Sequence, residues 1–330
     1  MFSGCSLKPG EYTELGMESL ENSDYQAALD FFDEALENDE DKGELYRGRG
    51  IAKMGLYDYK GAIEDFRASL SESGGNVSEL EFDTAFYLAT AQFKNGDVQG
   101  AIDTYSAIIG LDEDNADAFF LRGKAELAND DYDSAADDFD MAIQYNPTDP
   151  DLYISIYESL ESTGHSEEGS GYLKDAMELN NINEYQKGRL YYWLGDYDNA
   201  KGCLEEANDT KADPGVVLYL GKTYEALGDK SYAASLYSSY LTDNPSDANI
   251  CNQLGICQLE SGQYEAALAA FRQGLGVTNN QIMQSLRYNE IVAYEYLSDF
   301  KQASVLMAEY IKDYPEDEAA KREQIFLASR

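Results

Sequence analysis

Apolar and small residues return along this chain at a spacing of about 34 residues. The clearest recurrences pair Gly16 with Gly50, Ala28 with Ala62, and Phe32 with Phe66. A period of this length is typical of stacked helical hairpins, because one hairpin alone cannot bury its apolar face. The pattern therefore predicts an all-α chain whose function lies in a long surface, not in a catalytic pocket.

Within the first repeat, the apolar and small positions have the spacing of two amphipathic helices. They are Tyr12, Leu15, Gly16, Tyr25, Ala28, Phe32 and Ala35. A polar segment at 21–24 separates the two sets and predicts a tight turn. The small places let the two helices approach closely, and a bulky side chain there would cost about 1–3 kcal/mol through overpacking. A proline near the end of a repeat stops its second helix.

These residues resemble the tetratricopeptide repeat, whose pattern is an aromatic residue, Leu-Gly, a Tyr, and then Ala, Phe, Ala and Pro. The fourth repeat is close to that pattern, with Phe119, Gly123, Tyr132, Ala135, Phe139, Ala142 and Pro147. The resemblance implies an all-α, right-handed superhelical solenoid of about nine helix-turn-helix repeats, followed by a C-terminal capping helix.

The predicted organisation has three parts: a tether at 1–8, a solenoid at 9–317 and a capping helix at 318–330. The repeats lie near 9–42, 43–76, 82–115, 116–149, 150–180, 181–213, 214–247, 248–281 and 284–317. The fifth repeat departs most, because Tyr157 and Gly169 stand where a small residue and an Ala are expected. We expect that repeat to be bent or loosely packed. In the capping helix, Ile325 and Phe326 are predicted to cover the last exposed apolar face.

The charge of the chain limits its partners. Its 63 acidic residues against 24 basic ones give a formal net charge of -39. Such a field disfavours polyanions, so nucleic acid and an anionic lipid surface are poor partners for the whole molecule. No apolar stretch reaches the length of about 18 residues that a membrane-spanning helix needs.

The residues of enzyme chemistry are scarce. The single histidine, His165, falls in the turn of the fifth repeat, where adjacent loop residues do not supply a positioned base and its orienting group. One histidine and no Cys-x-x-Cys pair make a zinc site very poorly supported. Cys203, Cys251 and Cys257 are predicted to be small core residues. The acidic run at 130–140 lacks the spacing of a calcium loop. We predict a non-catalytic protein without cofactor or metal.

The N-terminus does not follow the repeat. Its residues Phe2-Ser3-Gly4-Cys5 resemble the lipobox of bacterial lipoproteins, in which small residues precede the cysteine that receives the lipid. Phe2 stands where Leu is usual, and the charged and apolar regions of a signal peptide do not precede it. The resemblance implies an extracytoplasmic protein lipid-anchored through Cys5. The alternative is an incidental free thiol in a frayed tail.

The resemblance to the tetratricopeptide repeat also implies which residues face a ligand, because in that family the first helix of each hairpin lines the concave side. The candidate contacts are Arg47, Phe86, Phe120, Lys124, Tyr185, Arg189, Tyr192, Lys222 and Asn252. Ile154 and Glu158 occupy equivalent places. The basic and Asn clamp that some members use to hold the terminal carboxylate of a chaperone is not reproduced by Arg47 with Ile51 or by Phe86 with Thr90.

Lys124, Arg189 and Lys222 recur at one register and suggest a cationic strip inside an acidic chain. Such a strip suits a protein or extended peptide that bears carboxylates and aromatic or apolar side chains. The alternative is that these cations only pair with nearby carboxylates, among them Glu158 and Glu225.

We therefore expect a non-catalytic binding scaffold, presented as a membrane-anchored bacterial lipoprotein. The competing hypothesis is a cytoplasmic regulatory or accessory subunit of a separately encoded enzyme. Carbohydrate capture by aromatic platforms ranks below both, and Trp193 is either a core residue or such a platform.

Overall fold

A computed structural model of the chain describes residues 10–38, 42–75, 77–180, 182–278, 280, 282–315 and 317–330. These residues contain 19 helices and no strand. They divide into two compact units: an N-terminal unit that ends at Tyr172 and a C-terminal unit that begins at Leu173. The all-helical prediction is confirmed.

The helices of the N-terminal unit form consecutive hairpins. They are α1 (Glu11–Glu21), α2 (Tyr25–Glu37), α3 (Lys42–Gly55), α4 (Tyr59–Glu72), α5 (Glu79–Lys94), α6 (Val98–Leu111), α7 (Ala116–Ala128), α8 (Tyr132–Tyr145) and α9 (Pro150–Ser162). Consecutive helices pack on each other, and the first helices also contact in series, α1 with α3, α3 with α5, and α7 with α9. Helix α10 (Ser166–Met177) begins in this unit and ends in the next.

The C-terminal unit repeats the arrangement. Its helices are α11 (Glu184–Trp193), α12 (Tyr197–Thr210), α13 (Pro214–Ala226), α14 (Lys230–Asp243), α15 (Ala248–Glu260), α16 (Tyr264–Leu275), α17 (Met283–Tyr296), α18 (Phe300–Asp313) and α19 (Glu318–Leu327). The first helices again contact in series, α11 with α13, α13 with α15, and α15 with α17.

Six of the hairpins close through a glycine on the first helix and a large residue on the second. The contact joins Gly16 with Phe32, Gly50 with Phe66, Gly123 with Phe139, Gly188 with Leu204, Gly221 with Tyr237 and Gly255 with Phe271. A Cβ atom added at Gly123 would lie 2.8 Å from Phe139 Cε1, closer than two carbon atoms approach. The predicted reason for the small residues is therefore confirmed.

The fifth repeat solves the same packing problem with the two sizes exchanged. Tyr157 on its first helix is buried, and a Cβ atom added at Gly169 would lie 3.1 Å from its ring. The large residue lies on α9 and the small one on α10, which is the reverse of those six repeats. The residues that departed from the pattern thus complement each other.

The turn inside each hairpin has one recurring conformation. A residue with positive φ follows the first helix, and it is Ser23, Tyr57, Gly96, Asp130, Gly164, Gly195, Gly228, Gly262 or Ser298. In seven of the nine turns the next residue is an Asp whose carboxylate accepts a hydrogen bond from the third residue of the second helix. Such caps satisfy backbone N–H groups that the helix itself leaves open. Part of the acidic composition is therefore structural.

Two repeats carry the same half-buried ion pair between their helices. The Arg49 guanidinium donates to Asp65 at 2.8 and 2.6 Å, and the Arg122 guanidinium donates to Asp138 at 2.6 and 2.7 Å. Both carboxylates are nearly fully buried. Glu126 lies beside the second pair, where burial, and then the charge of Asp138, raises its pKa to about 7.

Helix α19 packs on the end of the C-terminal unit through Ala320 and Leu327, which are 0% and 3% exposed. Ile325 and Phe326 are 74% and 40% exposed, so the prediction that they cover the last apolar face is wrong. Residues seven apart share one face of a helix, and Ile325 and Phe326 are turned away from the face that Ala320 and Leu327 define.

Candidate functional site

The first helices of the N-terminal unit form the surface on which four of the candidate contacts lie. We call this side of α3, α5 and α7, together with the part of α9 that lines a pocket beside Lys124, the first-helix surface. It contains two pockets. The Arg47 pocket, of about 670 Å³, is lined by Arg47, Glu79, Leu80, Phe82, Asp83 and Phe86. The Lys124 pocket, of about 470 Å³, is lined by Phe93, Phe120, Lys124, Leu127, Ala128, Ser155, Glu158, Ser159, Ser162 and Thr163.

Arg47 is held in place by neighbours on the next first helix. Its guanidinium forms an ion pair with Asp83, and its Cζ lies 5.4 Å from the ring centre of Tyr87. The side chain is 17% exposed. Within the described part of the chain its buried Nε has no hydrogen-bond partner. Arg47 thus faces a pocket, but its charge is already paired with the Asp83 carboxylate.

Lys124 is in a different position. Its Nζ lies 5.4 Å from the ring centre of Phe120, and among the described residues no carboxylate forms an ion pair with it. Burial lowers the pKa of the Lys124 amine, the positive charge of Lys94 lowers it further, and Glu158 opposes both. A half-buried cation without a paired carboxylate costs free energy, which a bound anion would recover.

The aromatic residues of this surface are anchored by rings beneath them. The Phe86 ring centre lies 5.5 Å from that of Phe82 and 6.3 Å from that of Tyr105, and the Phe120 ring lies 6.1 Å from that of Phe139. Phe86 and Phe120 nevertheless remain partly exposed. Both rings offer apolar contact area, and packing fixes their side-chain conformations before a ligand binds. Ile154, at an equivalent place in the fifth repeat, is fully buried, so the expectation that it faces a ligand is wrong.

In the C-terminal unit, four predicted contacts converge on one tyrosine that the sequence reasoning missed. Arg189 Cζ lies 5.5 Å from the Tyr185 ring centre and 5.3 Å from the Tyr219 ring centre. Lys222 Nζ lies 5.7 Å from the Tyr219 ring, and Tyr192 meets that ring edge-on at 5.5 Å. In the register set by Gly188 and Gly221, the equivalent of Tyr185 is Leu218, so no periodic signal marks Tyr219.

The remaining candidates of this unit have mainly internal contacts. Asn252 accepts a hydrogen bond of 2.8 Å from Asn289. Trp193 is partly buried and meets the rings of Tyr192 and Tyr219 edge-on. Lys222 forms no ion pair with Glu225 among the described residues, but its positive charge opposes the rise that burial causes in the pKa of the Glu225 carboxyl group.

The residues associated with catalysis occupy structural places in the described ranges. The His165 ring stacks on Tyr132 at 4.6 Å, and its Nδ1 lies 3.9 Å from Glu168. His165 is therefore a residue packed at the turn of the fifth repeat. Cys251 and Cys257 are buried, and burial raises the pKa of both thiols to about 11. The described residues include no cluster of three or more His, Cys, Asp or Glu that could hold a metal ion.

No helix in the described ranges is both long enough and apolar enough to cross a membrane. The proposed lipid attachment residue, Cys5, and the tether at 1–8 lie outside the described residues.

Consecutive hairpins whose first helices pack in series, most of them closed by a small residue against a large one, define a helical-repeat protein. The particular repeat is identified by a family model for the tetratricopeptide repeat, which matches residues 13–77, 86–150, 185–248 and 218–278. The chain belongs to the tetratricopeptide repeat family. Proteins of this family generally act as non-catalytic scaffolds that bind other proteins.

Individual relatives align with different shares of this chain. A TPR repeat-containing protein of Methanocaldococcus jannaschii is 23% identical over 280 residues, which are 80% of this chain and 42% of that protein. The peptidyl-prolyl cis-trans isomerase FKBP4 of Rattus norvegicus is 30% identical over 111 residues, which are 33% of this chain and 24% of the isomerase. This chain thus spans less than half the length of either relative.

Similarity to a solved structure supports the fold and nothing beyond it. The crystal structure of a tetratricopeptide repeat protein from Parabacteroides merdae aligns with a TM-score of 0.51 and 15% identity. The alignment covers 76% of this chain and 98% of that one.

Proposed function

We propose that this protein is a non-catalytic scaffold that binds an extended peptide segment on its first-helix surface. The observation that carries the proposal is Lys124, a half-buried ammonium on a pocket wall without an ion-paired carboxylate among the described residues. Exposed lysines such as Lys60 also form no ion pair in the described ranges, but water solvates their charge, whereas Lys124 is half-buried. A ligand carboxylate would supply the missing partner through a charge-assisted hydrogen bond.

The ligand chemistry follows from the neighbours of Lys124. The Phe120 ring lies directly beside the amine, and Phe93 lines the same pocket. An acidic side chain placed next to an aromatic or large apolar one would therefore use both the charge and the apolar wall. The hydroxyl groups of Ser159 and Ser162 already donate to backbone carbonyl oxygens, so their oxygens remain available chiefly as acceptors.

The Arg47 pocket extends this surface along the same unit. Its charge is largely balanced by Asp83, so we assign it mainly apolar recognition through Phe82 and Phe86. The C-terminal unit offers a second patch, where the rings around Tyr219 hold Arg189 and Lys222. Cations held against aromatic faces lose little conformational entropy when they bind, which favours a specific partner.

For the cellular role, we propose a bacterial lipoprotein anchored through Cys5 that presents the repeats outside the cytoplasmic membrane for complex assembly or recruitment. The lipobox-like residues before Cys5 support this placement. Incorporation of a labelled fatty acid into the protein in its own cells, and its loss in Cys5→Ser, is the expected result. An unlabelled protein recovered from the cytoplasm would favour the accessory-subunit alternative.

Selection from a random dodecapeptide library tests the binding chemistry. Wild-type protein should enrich peptides in which Asp or Glu adjoins Phe, Tyr or Leu, and Lys124→Glu should lose that enrichment. Lys60→Glu is the matched control, because Lys60 is exposed on a second helix of the same unit. Enrichment of basic peptides by wild type, or identical selections by both variants, would overturn the proposal.

A further inference from the structure

The surroundings of the Lys124 amine set it apart from other lysines of the chain. The amine is half-buried on the wall of an open pocket, beside the Phe120 ring and within the field of a second cation, Lys94. Lys187 and Lys230 instead donate to carboxylates, Lys187 to Glu184 at 2.5 Å and Lys230 to Glu260 at 2.9 Å. An ion pair holds a lysine in its protonated form, whereas burial beside a cation favours the neutral form.

The neutral form is the nucleophile. A lysine becomes reactive when it is desolvated in an apolar pocket or placed next to another cationic group, and Lys124 meets both conditions. The pKa of the Lys124 amine is lowered by burial and then by Lys94, and Glu158 in the same pocket opposes both without reversing the shift; hydrogen bonds to carboxylates raise the pKa of Lys187 and Lys230. At neutral pH, Lys124 therefore carries more of the free amine than either of those lysines.

We propose that Lys124 is a site of covalent acylation by small acyl donors of the acyl-phosphate class. The amine lone pair attacks the acyl carbonyl carbon and forms a C–N bond. The C–O bond to phosphate breaks, phosphate leaves with that electron pair, and the proton lost by nitrogen passes to water. The product is a neutral amide on the pocket wall.

The pocket can accept the product. Its volume of about 470 Å³ greatly exceeds the share of about 30 Å³ that one water molecule occupies in the liquid, so an acetyl group fits beside Phe120. Acylation removes the one charge of the Lys124 pocket that we assign to ligand recognition. Acylation would then weaken peptide binding. That consequence rests on the proposed function, whereas the modification site does not depend on it.

The test treats the intact protein with acetyl phosphate and follows each lysine by mass spectrometry of its peptides. At pH 7.5, Lys124 should be acetylated at least about threefold faster than Lys187 and Lys230, because its lowered pKa raises the free-amine fraction while ion pairs hold the other two lysines protonated. The ratio should shrink as the pH approaches the ordinary lysine pKa of 10.5. Lys94→Gln should slow the acetylation of Lys124, whereas Lys60→Gln should leave that rate unchanged.

Two results would overturn the modification site: a Lys124 rate no greater than those of Lys187 and Lys230, or a Lys124 rate unchanged by Lys94→Gln. These outcomes are separate from failure of the proposed function. Fast acetylation together with unaffected peptide selection by Lys124→Glu keeps the modification site and refutes the ligand assignment. Slow acetylation of Lys124, together with loss of the peptide selection in Lys124→Glu, refutes the modification site and keeps the ligand assignment.

Discussion

Replacing Gly123 by Ala tests directly whether the close helix approach inside a hairpin is required. The new methyl group would lie 2.8 Å from Phe139 Cε1 and 3.2 Å from the backbone oxygen of Ala135. Phe139 is 0% exposed, so neither neighbour can move aside without disturbing the core. Overpacking of this kind costs about 1–3 kcal/mol. Alanine recovers up to about 1 kcal/mol through its better helix propensity, which leaves a net loss of about 0–2 kcal/mol.

Gly110→Ala is the matched control in the same unit. Gly110 lies in helix α6 with no atom within 4 Å of an added Cβ, so only the propensity gain of about 0.5–1 kcal/mol should remain. The two variants carry the same chemical change and should shift stability in opposite directions.

Urea unfolding followed by far-ultraviolet circular dichroism measures both variants. Because repeat arrays can unfold in segments, hydrogen exchange of α7 and α8 should locate the loss. In a Phe139→Leu background, Gly123→Ala should cost less, by at least about 0.5 kcal/mol, since the shorter side chain leaves room. A Gly123→Ala midpoint equal to or above that of Gly110→Ala would refute the packing explanation.

Two further predictions concern capping and titration. Asp97→Ala should lower the free energy of unfolding by about 1 kcal/mol in a urea titration, because the Asp97 carboxylate accepts a hydrogen bond from the Gly100 N–H at the start of α6. Gln263→Ala, at an N-cap without such a hydrogen bond, should change that free energy by less than about 0.5 kcal/mol. Equal losses in the two variants would contradict the capping role. The folded-state pKa of Glu126, about 7 against an ordinary 4.5, means that the folded protein binds this proton more tightly between those pH values, so stability falls as pH rises through them. Glu126→Gln should remove about 1–3 kcal/mol of that fall between pH 4.5 and pH 8, as measured by urea unfolding, and parallel pH profiles would exclude it.

The sequence predicts the hairpins well because their packing is local and periodic. The small residue at Gly123 and the large one at Phe139 are 16 positions apart in one repeat, so the period alone aligns them. The exchange of sizes between Tyr157 and Gly169 escaped prediction, because a pattern compares each position with its equivalents and not with its contact partner.

The surface was harder to predict than the core. Arg47 pairs with Asp83, 36 residues away on the next first helix, and no periodic signal marks such a pair. Leu327 is buried and the adjacent Phe326 exposed because one residue turns a helix by about 100°, so a face cannot be assigned when the docking angle of α19 is unknown. Lys124 was named from its register, but its lack of an ion pair required the structure.

The central claim is that Lys124 on the first-helix surface recognises an acidic and aromatic peptide. Fluorescence anisotropy of one library-selected dodecapeptide, titrated with wild type, Lys124→Glu and Lys60→Glu, tests it most directly. We predict that Lys124→Glu weakens binding at least about tenfold, equivalent to about 1.4 kcal/mol, while Lys60→Glu stays within about twofold of wild type. Equal affinity of the two variants would contradict the claim.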